Sequence, residues 1–308
     1  MKRILITGGL GFIGSHIITA LSKLNYNVSC LDKNKRGNPL PKRVKFISKD
    51  LSRYNPKIGF AKKVDIILHL ASVVNISKTI KNPKKTFLNN INSTLHILED
   101  IRVNNPKCLL VFTSSDKVYG NPKKNVVNEN RPAVPLDAYG ASKLKSELII
   151  KRYKKLYGLD YIILRPGNVF GPSQKAELFI PQVISKIKSG KNEIKVGNLS
   201  TYRNFVYIDD LIDAVIRCIK NKNAINQTFN ISSYNLKMSY VLKEIMKVAE
   251  RNLNCKIRVT KDKKLFRPLR YESKRFTLNC QKAHKILKWN PKWAFREAIK
   301  ATCLGFDH

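Results

Sequence analysis

The chain has 308 residues, 43% of them hydrophobic, which suits one large or two moderate domains with a real core and excludes a disordered polymer. No apolar run is long enough for a bilayer, and Met1-Lys2-Arg3-Ile4-Leu5-Ile6 meets Thr7-Gly8-Gly9 too early for a secretory leader, so a cytoplasmic protein without a membrane partner is expected. The formal net charge of +38 is spread rather than gathered into an arm or a reading helix, which speaks against nucleic acid as a partner and leaves a field that attracts a diphosphate-bearing ligand.

From the N-terminus, short apolar runs alternate with longer amphipathic stretches. This predicts an α/β fold, a doubly wound parallel sheet with crossover helices. Strands are expected at residues 3–7, 27–31, 44–48, 65–70, 108–113 and 160–165, and helices at 11–23, 83–104 and 138–156. Past Arg165 the rhythm changes. Gly171-Pro172 marks a loop, 179–189 reads as a helix, 205–208 as a strand and 209–220 as a helix. Two more helical patterns and both tryptophans follow from about Ser233. The six cysteines form no CxxC pair, so neither a metal site nor a disulfide framework is expected.

The first strand runs into Thr7-Gly8-Gly9-Leu10-Gly11-Phe12-Ile13-Gly14. Gly8 permits a tight turn, Gly11 lets a diphosphate approach the backbone, and Gly14 lets helix and strand pack closely. The helix start then offers free N–H groups and a positive dipole end to phosphates. Asp32 ends the second strand, where a carboxylate accepts hydrogen bonds from an adenosine ribose. These features predict a dinucleotide site in a Rossmann domain. Asp32 favours NAD over NADP by repelling a 2′-phosphate, an effect that Lys33, Lys35 and Arg36 soften. Asp50-Leu51 follows the third strand, within reach of an adenine amino group.

Tyr139 and Lys143 stand at i and i+4, on one helix face a turn apart. A free phenol titrates near pH ~10, and a neighbouring ammonium favours its phenolate. Lys143 is expected to lower Tyr139 in this way and to hold the nicotinamide ribose. Tyr139 then accepts a proton from a sugar hydroxyl as hydride leaves for NAD. A third group must hydrogen-bond the same hydroxyl. Ser115, in Phe112-Thr113-Ser114-Ser115-Asp116-Lys117 at a strand end, is the first candidate and Ser114 the second.

Together these motifs resemble the extended short-chain dehydrogenase/reductase family, in its NAD-dependent nucleotide-sugar epimerase/dehydratase branch, over nearly the whole chain. The resemblance implies that Leu70, Ala71 and Ser72, after the fourth strand, line the cofactor. It implies cofactor contact for Asn90, in a helix motif with Ser93 where glycine is usual. Arg165-Pro166-Gly167-Asn168 is similar to the segment that covers nicotinamide with Pro166 and meets the sugar nucleotide with Asn168. Tyr202-Arg203-Asn204-Phe205 is similar to an Arg-Asp-Phe stretch, with Asn204 for the usual aspartate and Arg203 as a diphosphate contact. A second phosphate arginine is implied upstream of the closing motif around Trp289, with Arg267 and Arg270 competing for the role.

The resemblance leaves three reactions open: 4-epimerisation through a transient 4-keto sugar, 4,6-dehydration, and keto-sugar reduction. Asp116-Lys117 resembles the acid–base pair of some dehydratases, Asp116 protonating the departing C6 hydroxyl and Lys117 taking the C5 proton. The remaining motifs look epimerase-like. A homodimer through the helices at 83–104 and 138–156 is implied. The expected organisation is an NAD-binding domain of residues 1–165 plus about 204–232, and a nucleotide-sugar lobe of about 166–203 plus 233–308.

Overall fold

The computed structural model describes residues 1–33, 40–53, 59–74, 76–122, 125–191, 193–253, 257–266 and 275–305. In the first half of the chain, strands β1 (Arg3–Thr7), β2 (Asn27–Asp32), β3 (Lys45–Ser48), β4 (Ile66–His69), β5 (Leu109–Thr113) and β6 (Val126–Val127) alternate with helices α1 (Phe12–Lys23), α2 (Ile76–Lys81), α3 (Pro83–Asn104) and α4 (Ala138–Tyr157). In the second half come β7 (Tyr161–Pro166), β8 (Asn168–Phe170), β9 (Glu193–Val196), β10 (Tyr202–Tyr207), β11 (Gln227–Ile231), β12 (Tyr234–Lys237), β13 (Arg258–Lys261) and β14 (Thr277–Leu278). Its helices are α5 (Phe179–Lys188), α6 (Ile208–Lys220), α7 (Met238–Leu253) and α8 (Phe295–Leu304).

Seven strands form one parallel sheet in the order β3-β2-β1-β4-β5-β7-β11. Alternate side chains feed its two faces, as the strand period demands. Ile4 and Ile6 of β1 join Ile17, Ile18 and Leu21 of α1 and Leu211 and Val215 of α6 on one face. Leu5 joins Leu110 and Phe112 of β5, Ile97, Leu98 and Ile101 of α3 and Ile150 of α4 on the other. Burial on both faces explains why these strands are almost continuously apolar.

The expected six strands and their helices are present, with ends shifted by a residue or two. A seventh strand, β11, extends the sheet at the β7 edge. The strand expected at 205–208 is instead Tyr202–Tyr207, and the chain passes directly into α6 at Ile208. Among the described residues, three small sheets accompany it: β12-β10-β8, β13-β9 and β14-β6. No helix among the described residues is long and apolar enough to cross a membrane.

The strand order reverses between β1 and β4. Open parallel sheets bind ligands outside the carboxyl ends of their strands at such a reversal. The Gly8 turn after β1 and the Leu70–Ser72 segment after β4 meet there.

Candidate active site

A cavity of about 610 Å³ opens at this reversal, lined from both halves of the sheet. On the β1 side the chain turns at Gly8, whose φ of 70° suits glycine. A side-chain carbon on Gly8 would lie 2.8 Å from the Ala71 nitrogen, and one on Gly14 would lie 2.4 Å from the Gly8 carbonyl oxygen. The turn is therefore packed to the backbone on two sides. Helix α1 starts at Gly11 without a side-chain cap and without an acidic residue in its first turn. Its free N–H groups and positive end remain available to an anion.

Asp32 closes β2 and lines the same cavity. Its carboxylate accepts from the Leu10 N–H at 3.2 Å and the Lys33 N–H at 2.8 Å, bracing the glycine turn. Asp50 accepts from the Ser52 N–H at 2.9 Å and the Ser52 hydroxyl at 2.7 Å. Partial burial raises the Asp50 carboxyl, but the Ser52 bonds and the charges of Lys33 and Arg53 outweigh it and hold it below the usual range. Phe12, Ile13, Leu51, Leu70, Ala71 and Ser72 line the cavity around these groups. Asn90 on α3 accepts from the Val73 N–H at 2.8 Å and donates to the Ser142 hydroxyl at 2.9 Å, tying the loop after β4 to α4. His69 is bonded between Thr7 (2.7 Å) and Thr94 (3.3 Å), and burial together with the charge of Lys143 pushes it down to about 3, so it is neutral. The packed glycine cradle, the uncapped helix end and the carboxylate at the end of β2 fit a dinucleotide.

The far side of the cavity is built by β5 and α4. Asp137 caps α4 by accepting from the Gly140 N–H at 2.7 Å, which places Tyr139 in the first turn. Ser115 follows β5 and caps the short helical turn Asp116–Tyr119 by accepting from the Lys117 N–H. Its hydroxyl donates to the Asp116 carboxylate at 3.4 Å and favours the ionised form of the Tyr139 phenol. The Lys143 ammonium donates to the Thr113 carbonyl at 2.8 Å and lies 5.9 Å from the centre of the Tyr139 ring.

Electrostatics here depart from expectation. Burial pushes the Tyr139 phenol up, the Ser115 hydroxyl opposes this, and Asp116 and Asp137 add to the rise. The Lys143 ammonium is itself desolvated and turned to the Thr113 carbonyl. Burial pushes Lys143 down to about 7 against the opposing charge of Glu147. Of the two candidate serines, Ser114 is committed elsewhere: its hydroxyl donates to Glu147 at 2.5 Å, away from Tyr139. Asp116 is buried, and its carboxylate takes the Lys117 ammonium at 3.3 Å, with the Lys117 side chain 26% exposed. Both residues line the cavity, as do Pro166 and Asn168.

One expected contact is not brought to this cavity. Arg203 is not among its lining residues; it precedes the stretch of β10 that pairs with β8, and its guanidinium donates to the Tyr202 carbonyl at 2.8 Å. Arg267 and Arg270 lie outside the described residues. Two buried residues went unread in the sequence, Gln174 in the cavity wall and Glu147 behind it. Gln174 is buried, donates to the Val169 carbonyl at 3.0 Å and keeps an unpartnered amide oxygen. Glu147, one turn beyond Lys143, is buried in an ion pair with Arg165 at 2.5 Å. No local pattern marks either, since a glutamate at i+4 from lysine reads as a surface pair.

The model of the NAD dependent epimerase/dehydratase family matches residues 4–232. A Methanocaldococcus jannaschii protein provisionally named UDP-glucose 4-epimerase is 33% identical over 304 residues, covering 96% of each chain. A human dTDP-D-glucose 4,6-dehydratase is 29% identical, over 98% of this chain and 89% of its own. Among solved structures, the UDP-N-acetylglucosamine 4-epimerase of Methanobrevibacter ruminantium, in complex with UDP-N-acetylmuramic acid, superposes with a TM-score of 0.85 at 28% identity, covering 99% and 97% of the two chains. The matched span runs from β1 to just past β11 and takes in every wall of the cavity; the chain belongs to the NAD-dependent epimerase/dehydratase family of enzymes.

Proposed function

We propose that the enzyme epimerises a nucleoside-diphosphate hexose at C4 through a transient 4-keto sugar. One observation carries this reading: Ser115, Tyr139 and the buried Lys143 come together in the lining of the cavity that the glycine turn opens. NAD, when bound, supplies a hydride acceptor and returns the hydride.

The chain's own groups do the rest. The sugar's 4-hydroxyl sits between Ser115 and Tyr139, and its proton passes to the Tyr139 oxygen. Tyr139 lies in the first turn of α4, whose positive end favours the phenolate that burial disfavours. Lys143, as the ammonium, supplies a second positive charge and a donor for the nicotinamide ribose. After the keto sugar rotates, Tyr139 returns the proton to the oxygen now on the other face. Asn168 and the unpartnered amide oxygen of Gln174 are polar groups of the wall available to the sugar. Asp32 selects NAD over NADP.

A second reading, 4,6-dehydration, is favoured by one observation: Asp116 and Lys117 line the cavity rather than facing bulk solvent. Keto-sugar reduction and nucleic-acid binding have no such support. We also infer the two-part organisation set out above, residues 1–165 and about 204–232 holding NAD and the remainder holding the sugar nucleotide. A cytoplasmic location accords with the buried free thiols of Cys30, Cys108, Cys218, Cys280 and Cys303.

Incubation with NAD and a panel of nucleotide sugars, followed by mass spectrometry and sugar analysis, separates the readings. Unchanged mass with a new sugar is the expected result. Loss of one water would replace epimerisation by dehydration, and Lys117→Ala would then abolish solvent deuterium uptake at C5.

A further inference from the structure

The residues that follow β5 carry Ser115, Asp116 and Lys117, and a single buried ion pair reaches both ends of that segment. At the near end, the Ser114 hydroxyl donates to Glu147 Oε1 at 2.5 Å. At the far end, the Arg165 guanidinium donates to the Tyr119 hydroxyl at 2.8 Å and stacks over its ring, 4.9 Å from the centre. Glu147 and Arg165 join these ends through two bonds, Nε to Oε1 at 2.9 Å and the outer pair at 2.5 Å. Ser114, Tyr119, Glu147 and Arg165 are all buried.

The same pair is stitched to Lys143. Thr113 and Ser114 are consecutive, and their two bonds reach α4 one turn apart, to Lys143 and to Glu147. A buried ion pair contributes little net stability relative to an apolar pair of the same size, since desolvation offsets the attraction. Its presence beneath the site is better explained by what it holds.

We propose that the Glu147–Arg165 pair is a clamp that positions the Ser115–Lys117 segment against Tyr139 and Lys143. Neither residue lines the cavity, so both are positioning residues rather than catalytic ones. The clamp grips Ser114 and Tyr119 and leaves the residues between them spanning the gap, with Ser115 held in the cavity lining it shares with Tyr139. The functional part of this inference rests on the proposed reaction; the mechanical part does not.

Hydrogen–deuterium exchange on the NAD-loaded protein, paired with steady-state kinetics on the accepted nucleotide sugar, tests both parts. Ser114→Ala and Tyr119→Phe each release one end while keeping the ion pair, and Glu147→Gln releases the carboxylate from both of its partners. The clamp predicts exchange at residues 115–119 faster by about tenfold in each single-end variant, with the remaining sheet unchanged. It also predicts a lower kcat with little change in KM, because the groups that hold the sugar nucleotide away from C4 are untouched. Unchanged exchange at 115–119 in the two single-end variants, or faster exchange across the whole sheet, overturns the clamp. If Glu147→Gln does not fold, those two variants still decide the matter. If the wild-type protein converts no nucleotide sugar, the proposed function fails while the exchange result still judges the clamp.

Discussion

At the scale of single residues, Tyr139 and Lys143 carry opposite demands. Tyr139 must give up a proton that burial tells it to keep, and Lys143 must keep a proton that burial tells it to release. Tyr139→Phe retains the ring and the packing, so the fold and NAD binding should survive while turnover falls by about a hundredfold or more. Retained turnover would remove Tyr139 from the mechanism. The pH dependence follows from Lys143, lowered to about 7 by burial against the opposing charge of Glu147. Below that value it is the ammonium the mechanism needs; above it the charge is lost, so kcat should decline as pH rises through about 7. The Lys143 contribution to stability runs the other way. Between about 7 and its ordinary value of 10.5 the unfolded chain holds a proton that the folded chain does not, so this contribution grows with pH. A kcat profile and a denaturation series over the same range should diverge, and a kcat that rises through pH 8 would show that neutral Lys143 suffices.

At the scale of elements, α4 approaches the turn after β5 as closely as backbone allows. A side-chain carbon at Gly140 would lie 2.6 Å from the Lys117 carbonyl oxygen. Gly140→Ala should push the start of α4 away from Ser115, at about 1–3 kcal/mol of stability. It should lower kcat more than it weakens NAD, which calorimetry and kinetics on one preparation can separate. An equal loss of both would place the damage in the whole fold. What could be read from the sequence also divides by element. The strands β1 to β5 and β7 are local apolar runs, and the glycine turn and the Tyr139–Lys143 spacing are local patterns, so they were legible. Strand β11 was not, because Thr228 and Asn230 interrupt its apolar run; both are buried, and Asn230 is satisfied by Tyr119, Val127 and Asn279 from distant parts of the chain. Arg203 was placed by resemblance alone, and the strand pairing of β10 decides where it goes. Gln174 owes its place in the wall to the turn at Ser173, whose φ of 59° no serine signals in advance.

At the scale of the molecule, the net charge of +38 and the apolar outer surface of α3 and α4 oppose each other. The two helices pack together and leave Leu88, Val103, Leu148, Leu156 and Tyr157 exposed, about half of each side chain in water. Large apolar residues exposed on one helix pair suit an isologous contact with a second copy, and we propose that a homodimer forms there. Bringing two chains of this charge together costs electrostatic energy, which salt screens over about 8 Å at physiological ionic strength. Dimerisation should therefore strengthen as salt rises, whereas capture of an anionic nucleotide sugar should weaken, lowering kcat/KM. Sedimentation velocity across a salt series, run beside kinetics, reads both trends. Leu148→Asp should yield a monomer at every salt concentration, because an aspartate facing its own copy is buried without a partner. A wild-type chain that stays monomeric throughout, or a Leu148→Asp chain that still dimerises, would rule out this face.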